Sequence, residues 1–493
     1  VTIHVFAGTT LPADEIQSIC PGAVVHPPVR HGDLLRLGVG CGDTVLIVDG
    51  LWHQSAPVRH KEILAVLDDG VSVFGAASMG ALRAAELGPY GMIGVGQIFA
   101  HYRDRVLEAD DEVAVLQGPD GQPLTEALVN LRAALERAVE AGHLTLAENE
   151  LLLAQAQGLP FAHRTWAALG LRAAAVGAED AFARLDSWRR SHPYDLKRED
   201  AETALRLLAA PATLHTSPAA TAGEATWRTS FVRYWDAAYR PGPPADDGLP
   251  VLPLLQHQQL YDPDFARRWR ARVLIAVAPP GTPPADVEHG ALRRAAEQGL
   301  HFTDLSSEQL AHWLTPAEIA DLCDAEKLLR IIVRAARLDG AWTAWPSHHA
   351  ESGDLLNPTQ PTARSVSAAF LHNAAVSATG PGRTTAHLNA DRIEQHLRDR
   401  WGLPRDAAQQ ALDAAARDRA FRAFDGAIEV ARAFYLSARA EETVPETVPD
   451  TLRDSPLTCP TASGTTAAAT MTAAPQASVG RTPSAADAGP ASR

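Results

Sequence analysis

Val71-Ser72-Val73-Phe74-Gly75-Ala76-Ala77-Ser78-Met79-Gly80-Ala81-Leu82-Arg83-Ala84-Ala85-Glu86-Leu87 passes from β-branched and aromatic residues, through small residues gathered about one serine, into a helix-forming run. The pattern is a strand, a tight turn and a helix. Such a junction puts Ser78 at the carboxyl end of a parallel strand, against a helix N-terminus whose first N–H groups have no intrahelical acceptor. Ala76-Ala77-Ser78-Met79-Gly80 fits the nucleophile elbow G-x-S-x-G with alanine in place of the first glycine. On that reading Ser78 is the nucleophile, and N–H groups near Met79 and Gly80 stabilise an oxyanion. The same spacing suits a serine that only caps its helix, and both readings stand at this point.

Upstream, Thr2–Ala7 and the continuous apolar run Thr44–Gly50 read as strands, with Val24–Val29 a weaker one. Val58–Leu67 reads as a helix entered near Pro57 and ended at Gly70. Downstream, Ile98–Val106 and Thr125–Ala141 read as helices, Glu112–Leu116 as a short edge strand, and Gly94-Val95-Gly96 as a loop. Thr145 with Glu148 forms a capping box before Leu151–Leu153. Strands alternating with helices predict an α/β core with a mostly parallel sheet.

From there helices dominate. Breaker-rich stretches at Pro211–Gly223 and Pro241–Pro250 divide the chain, giving a core with trailing helices at 1–210, a linker region at 211–250 and a helical domain at 251–440. In the helical domain, Ser306 with Gln309 and Thr315 with Glu318 mark helix starts, and Ile319–Leu338 carries a sustained apolar stripe. Residues 441–493 are rich in Pro, Thr, Ala and Ser, a composition that predicts a disordered tail.

The chain has 493 residues, 46% of them hydrophobic, and a net charge of −15. That balance argues against sequence-independent binding to nucleic acid or to an anionic membrane surface. No apolar run is long enough to span a bilayer and the opening segment lacks a secretory pattern, so the expectation is a cytoplasmic protein. Cys20, Cys41, Cys323 and Cys459 form no C-x-x-C pair, and no metal is assigned. Neither G-x-x-x-x-G-K-[ST] nor a strand-borne G-x-G-x-x-G occurs. Adjacent His348-His349 with Glu351 suit a solvated loop better than a metal site.

In open α/β sheets ligands collect outside the carboxyl ends of the strands. Here those exits are Gly8-Thr9-Thr10, Asp49-Gly50-Leu51-Trp52-His53 and Ala77-Ser78-Met79-Gly80. They offer a hydroxyl, the Asp49 carboxylate and an imidazole. A serine needs activation at neutral pH, and His60 or Lys61, at the start of a helix, are candidate bases. Arg83 and Glu86 stand at i,i+3 spacing and suit an ion pair. Asp110 and Asp111 belong to a carboxylate cluster that permits a metal or positions other groups without defining a site.

These residues carry a family resemblance. Asp49-Gly50, His60-Lys61-Glu62 and Gly75–Glu86, continued by Gly91–Gly96, Tyr102-Arg103, Asp110–Val115, Val129–Arg132 and more loosely Asp195–Ala201, resemble the TfuA-like family over about the first 210 residues. The resemblance implies an accessory role beside YcaO enzymes, which use ATP to activate a backbone amide for thioamide formation in ribosomally made peptides. It implies no cofactor on this chain, with ATP and magnesium on the YcaO partner. Joined to the Ser78 site, it implies sulfide release from a thiocarboxylated ubiquitin-like sulfur carrier by serine-based hydrolysis, with the precursor peptide a further possible partner. The alternatives are a non-catalytic docking or allosteric activator of YcaO, a persulfide relay through Cys41, and a general serine esterase.

Overall fold

The computed structural model describes residues 2–52, 55–118, 121–210, 229–336, 355–357, 361–380 and 382–443. His53, His348, His349, Glu351, Cys459 and the tail from residue 444 lie outside the described residues, as does 211–228 of the expected linker. Two compact units divide the chain, Val1–Pro241 and Gly242–Arg493.

In the first unit the strands are β1 (Ile3–Phe6), β2 (Val24–His26), β3 (Thr44–Ile47), β4 (Ser72–Ala76) and β5 (Ile93–Val95). They form one parallel sheet in the order β2-β1-β3-β4-β5. The helices between them are α1 (Ala13–Ile19), α2 (Asp33–Arg36), α3 (His60–Asp68) and α4 (Met79–Leu87). Period-two alternation sorts the strand residues onto two faces. Val45, Ile47 and Val73 pack on one side with Ile63 and Val66 of α3 and with Met79, Ala84 and Leu87 of α4. Leu46, Val48 and Phe74 pack on the other with Ile16 of α1 and with Ala201, Ala204 and Leu205 of α10 (Leu196–Ala209). Burial on both faces explains why Thr44–Ile47 reads as an unbroken apolar run.

Between sheet and α10 come α5 (Gln97–Arg103), α6 (Leu128–Glu140), α7 (Leu146–Gln157), α8 (Trp166–Ala175) and α9 (Glu179–Ser191). Thr145 and Glu148 cap α7 reciprocally, as expected. The expected edge strand at Glu112–Leu116 is absent. A 3₁₀ turn spans Asp110–Glu112, and buried Glu112 is held by Arg132 of α6 at 2.7 and 3.0 Å instead of extending along a strand edge. Gly94-Val95 is no loop but part of edge strand β5, whose short, glycine-containing run hides its alternation. Gly94 is required there: a Cβ would fall 2.1 Å from the Phe99 ring.

The first unit extends beyond the expected boundary at residue 210, because α11 (Ser230–Tyr239) places Val232 and Tyr239 in the core beside α2 and α3.

The second unit is helical. Its elements include α12 (Val251–Tyr261), α13 (Phe265–Val277), α14 (Val287–Glu297), α15 (Ser307–Trp313), α16 (Pro316–Asp321) and α17 (Asp324–Ala335). Further helices span Thr362–Ala378, Ala390–Trp401, Gln409–Asp418, Phe424–Ala431 and Tyr435–Thr443. The capping boxes at Ser306 and Thr315 form as read. The stripe from Ile319 is not one helix. Leu322 and Cys323 are extended, and α17 restarts with Asp324 and Glu326 in its first turn, where carboxylates favour the helix dipole. The break lets Arg334 reach back to Glu318 at 2.7 Å. Among the described residues no helix is long and apolar enough to cross a membrane.

Candidate active site

Strand β1 exits at Gly8-Thr9-Thr10 and its neighbour β3 exits at Asp49. Chain order reverses between these two strands, opening the crevice where doubly wound sheets bind ligands. Asp49 is 3% exposed. Its carboxylate accepts from Gly8 N at 2.9 Å, Thr10 N at 2.9 Å and Thr10 Oγ1 at 2.6 Å. It thus ties the two exits together.

One strand further, β4 ends in a turn with Ala77 at φ 65° and Ser78 N–H donating to Ala76 O at 2.7 Å. That is a γ-turn with its central residue in the left-handed region, which costs a non-glycine residue about 1–3 kcal/mol. Only small neighbours permit the close seating that follows. A Cβ on Gly80 would lie 1.7 Å from Ile47 O, and one on Gly75 would lie 2.1 Å from Gly80 O.

Ser78 occupies the N-cap position of α4, yet its side chain caps nothing. Its hydroxyl donates to Val113 O at 3.4 Å. The same carbonyl accepts from Lys197 Nζ at 3.1 Å, and Lys197 Nζ lies 3.9 Å from Asp49 Oδ1. Ser78, Lys197 and Asp49 are all nearly buried, at 5%, 4% and 3% exposed. The oxyanion donors read from sequence separate here. Gly80 N–H donates to Val48 O at 3.2 Å, whereas the Met79 amide, directly after the serine, has no backbone acceptor among the described residues.

The carboxylate cluster shapes this site from outside. Arg132 grips Glu112, while fully buried Arg164 donates to Asp111 O at 2.9 Å and to its carboxylate at 2.8 Å. These bonds present the Val113 carbonyl to Ser78 and Lys197. Asp110 is exposed on the same turn. Among the described residues no His, Cys, Asp and Glu side chains group as metal ligands.

His60 and Lys61 are placed elsewhere. His60 Nε2 lies 2.8 Å from Glu86 Oε2 and 3.1 Å from Arg83 Nη1, and Arg83 donates to Glu86 at 2.6 Å. Burial works against ionisation of Glu86, but the bonds from His60 and Arg83 outweigh it and hold the carboxyl below its ordinary range. Lys61 is half-buried and makes no ion pair among the described residues. Glu62 is fully buried and accepts from Gly32 N, Leu34 N and His31, anchoring α2. Cys41 precedes the amino end of β3, the opposite edge of a parallel sheet from Ser78.

A pocket of about 410 Å³ opens beside the site, lined by Thr9, Thr10, Asn130, Trp166, Asp195 and Lys197 among others. Glu126 also lines it. Burial, then the nearby Asp195 charge, pushes its carboxyl up. Asn130 sets the lysine: its side chain accepts from Lys197 N at 3.2 Å and donates to Asp195 at 2.9 Å. Residue-by-residue reading singled out neither Lys197 nor Asn130 for the site. A signal existed for the lysine, which is one of three among 44 lysines and arginines.

A family model described as TfuA-like protein matches residues 49–165, from Asp49 to the pocket wall at Thr165. The chain contains a TfuA-like domain. Such a domain associates a protein in general with YcaO-type thioamide systems. The matched TfuA-like span contributes Asp49, Ser78 and Val113, and Lys197 arrives from beyond it. No curated protein matches the chain.

Proposed function

We propose that this chain supplies sulfide to a YcaO enzyme by hydrolysing the C-terminal thiocarboxylate of a small ubiquitin-like carrier, with Ser78 as nucleophile. One observation carries the reading. Ser78 Oγ and Lys197 Nζ converge on the Val113 carbonyl at 3.4 and 3.1 Å, at the strand ends and beside a pocket.

An anionic thiocarboxylate entering from the pocket displaces the Val113 carbonyl from both groups and meets the Lys197 ammonium. Ser78 Oγ then attacks the thioacyl carbon. The oxyanion that forms is stabilised by Lys197 and the Met79 amide, in a setting where low dielectric strengthens both contacts. The C–S bond breaks, the serine proton ends on sulfur, and HS⁻ leaves with an acyl-serine behind. Water cleaves that ester, the carrier departs as a carboxylate, and one proton is released. The substrate's own sulfur takes the serine proton, so no histidine base is required. ATP and magnesium belong to the YcaO partner, and a precursor peptide meets that partner.

The near-burial of Ser78 favours a second reading, in which the Ser78–Lys197–Asp49 arrangement is a strut and the domain docks on or activates YcaO. Sulfide release from a purified thiocarboxylated carrier by this chain alone separates them. Release by wild type, lost in a Ser78→Ala variant that melts like wild type, is the expected result. No release by either protein, with thioamide formation still stimulated when free sulfide saturates YcaO, would leave the docking reading.

A further inference from the structure

The helical unit holds a second cavity, of about 360 Å³, between α12 and the helices at Thr362–Ala378, Ala390–Trp401 and Tyr435–Thr443. Four rings wall it. His257 lies 4.9 Å from the Tyr261 ring and 5.5 Å from Phe434, and Tyr261 lies 5.8 Å from His396. Part of the polar wall is already engaged: Gln258 bonds Asn357 and Thr362, and Asp262 pairs with Arg268 at 2.8 Å.

Two cations are not matched in this way. Arg400 donates to Tyr261 O at 3.3 Å, and Arg419 donates to Gln259 O and Asp262 O at 3.0 and 2.9 Å. Neither forms a salt bridge among the described residues. Burial, opposed by Asp262 and Asp418 and assisted by Arg400, pulls the Arg419 guanidinium down to about 10, and burial with the Arg400 charge pulls His257 down to about 4, so its imidazole is neutral at pH 7. On the wall itself the Asp262 carboxylate is engaged by Arg268, so Arg400 is the lining cation that faces the cavity without a carboxylate partner among the described residues. Rings alone suit a quaternary ammonium, but the sign of this charge opposes one.

We propose that this cavity binds a small carboxylate with an aromatic body. The carboxylate sits on the Arg400 fork, with the Ser365 and Ser437 hydroxyls within the same lining, and the ring lies against Phe434 and His257. The site is independent of Ser78 chemistry.

Calorimetric titration of the full chain with benzoate, choline chloride and inorganic phosphate tests it. Saturable binding of benzoate in preference to the other two is expected. Arg400→Ala weakens it about ten-fold or more, as loss of a charged hydrogen bond does, and Arg400→Lys weakens it less. Ser365→Trp fills the cavity and abolishes binding. Absence of saturable benzoate binding, choline or phosphate binding as tight as benzoate, or benzoate binding unchanged in both Arg400→Ala and Ser365→Trp would overturn the proposal. Thermal melts establish that the variants are folded.

Discussion

Lys197→Met removes the ammonium that faces Asp49 and leaves a nearly buried carboxylate without its counter-charge. At 3.9 Å the pair's attraction is about 4 kcal/mol at an effective dielectric of about 20, most of it offset by the desolvation of both ions. Breaking a buried pair from one side costs about 3–5 kcal/mol. Asp49 keeps its bonds from Gly8 and Thr10, which lowers the expected loss for Lys197→Met to about 2 kcal/mol. Asp49→Asn leaves the ammonium against an amide that turns N–H groups toward it, and costs about 3 kcal/mol. The double variant holds no unpaired charge, so its loss falls short of the summed singles by about 2 kcal/mol. Urea unfolding of the full chain measures these losses, with hydrogen exchange of β3 and β4 peptides assigning the transition to the first unit. Single losses below about 0.5 kcal/mol that simply add in the double variant would refute the coupling. Lys197→Arg adds a functional arm. It keeps the charge, so measurable sulfide release in that variant supports electrostatic action, and complete loss in a folded protein points to proton abstraction by Lys197.

Three further outcomes follow from the geometry. Gly80→Ala forces α4 off β3 and is expected to destabilise by about 3 kcal/mol or more, read as a lowered melting transition of the first unit; a wild-type melt would contradict the seating. His60→Gln is expected to leave sulfide release within about two-fold of wild type, since a lost exposed pair with Glu86 costs under about 1 kcal/mol; a loss matching Ser78→Ala would return His60 to the chemistry. In the helical unit, His257 titrates at about 4 rather than 6.5 and Glu318 at about 2 rather than 4.5. Both folded values are depressed, so the unfolded chain takes up protons first on acidification. Stability of that unit falls from pH 6.5 to 4 through His257, then from 4.5 to 2 through Glu318, and urea midpoints that stay flat from pH 7 to 3 would be inconsistent with both.

The sheet was legible because its strands leave a strong local signature. Continuous apolar residues at Thr44–Ile47 and the strand–turn–helix at Ser72–Leu87 need no long-range information. Edge elements were not. Beside β4, only the three residues of β5 pair, Gly94 stands inside that strand and Gly96 follows it, and its pairing with Phe74–Ala76 is visible only in space. Conversely, Glu112–Leu116 has the apolar, β-branched run of a short strand, but a buried Glu112–Arg132 pair outcompetes the ladder.

The site shows the same division. Each of Asp49, Ser78 and Thr10 ends a strand, so a rule about strand exits finds them. Lys197 ends none. It reaches the Val113 carbonyl that Ser78 also bonds because α10 folds back along one sheet face, burying Ala201, Ala204 and Leu205, and because Asn130 fixes the first turn of that helix. The sequence-adjacent bases His60 and Lys61 had the right chemistry on a helix that covers the opposite face through Ile63 and Val66. What placed the cation beside Ser78 is therefore the packing of a late helix and the Arg132 and Arg164 anchors that deliver Val113. Loosening either anchor should disturb the convergence of Ser78 and Lys197 on the Val113 carbonyl without touching either residue.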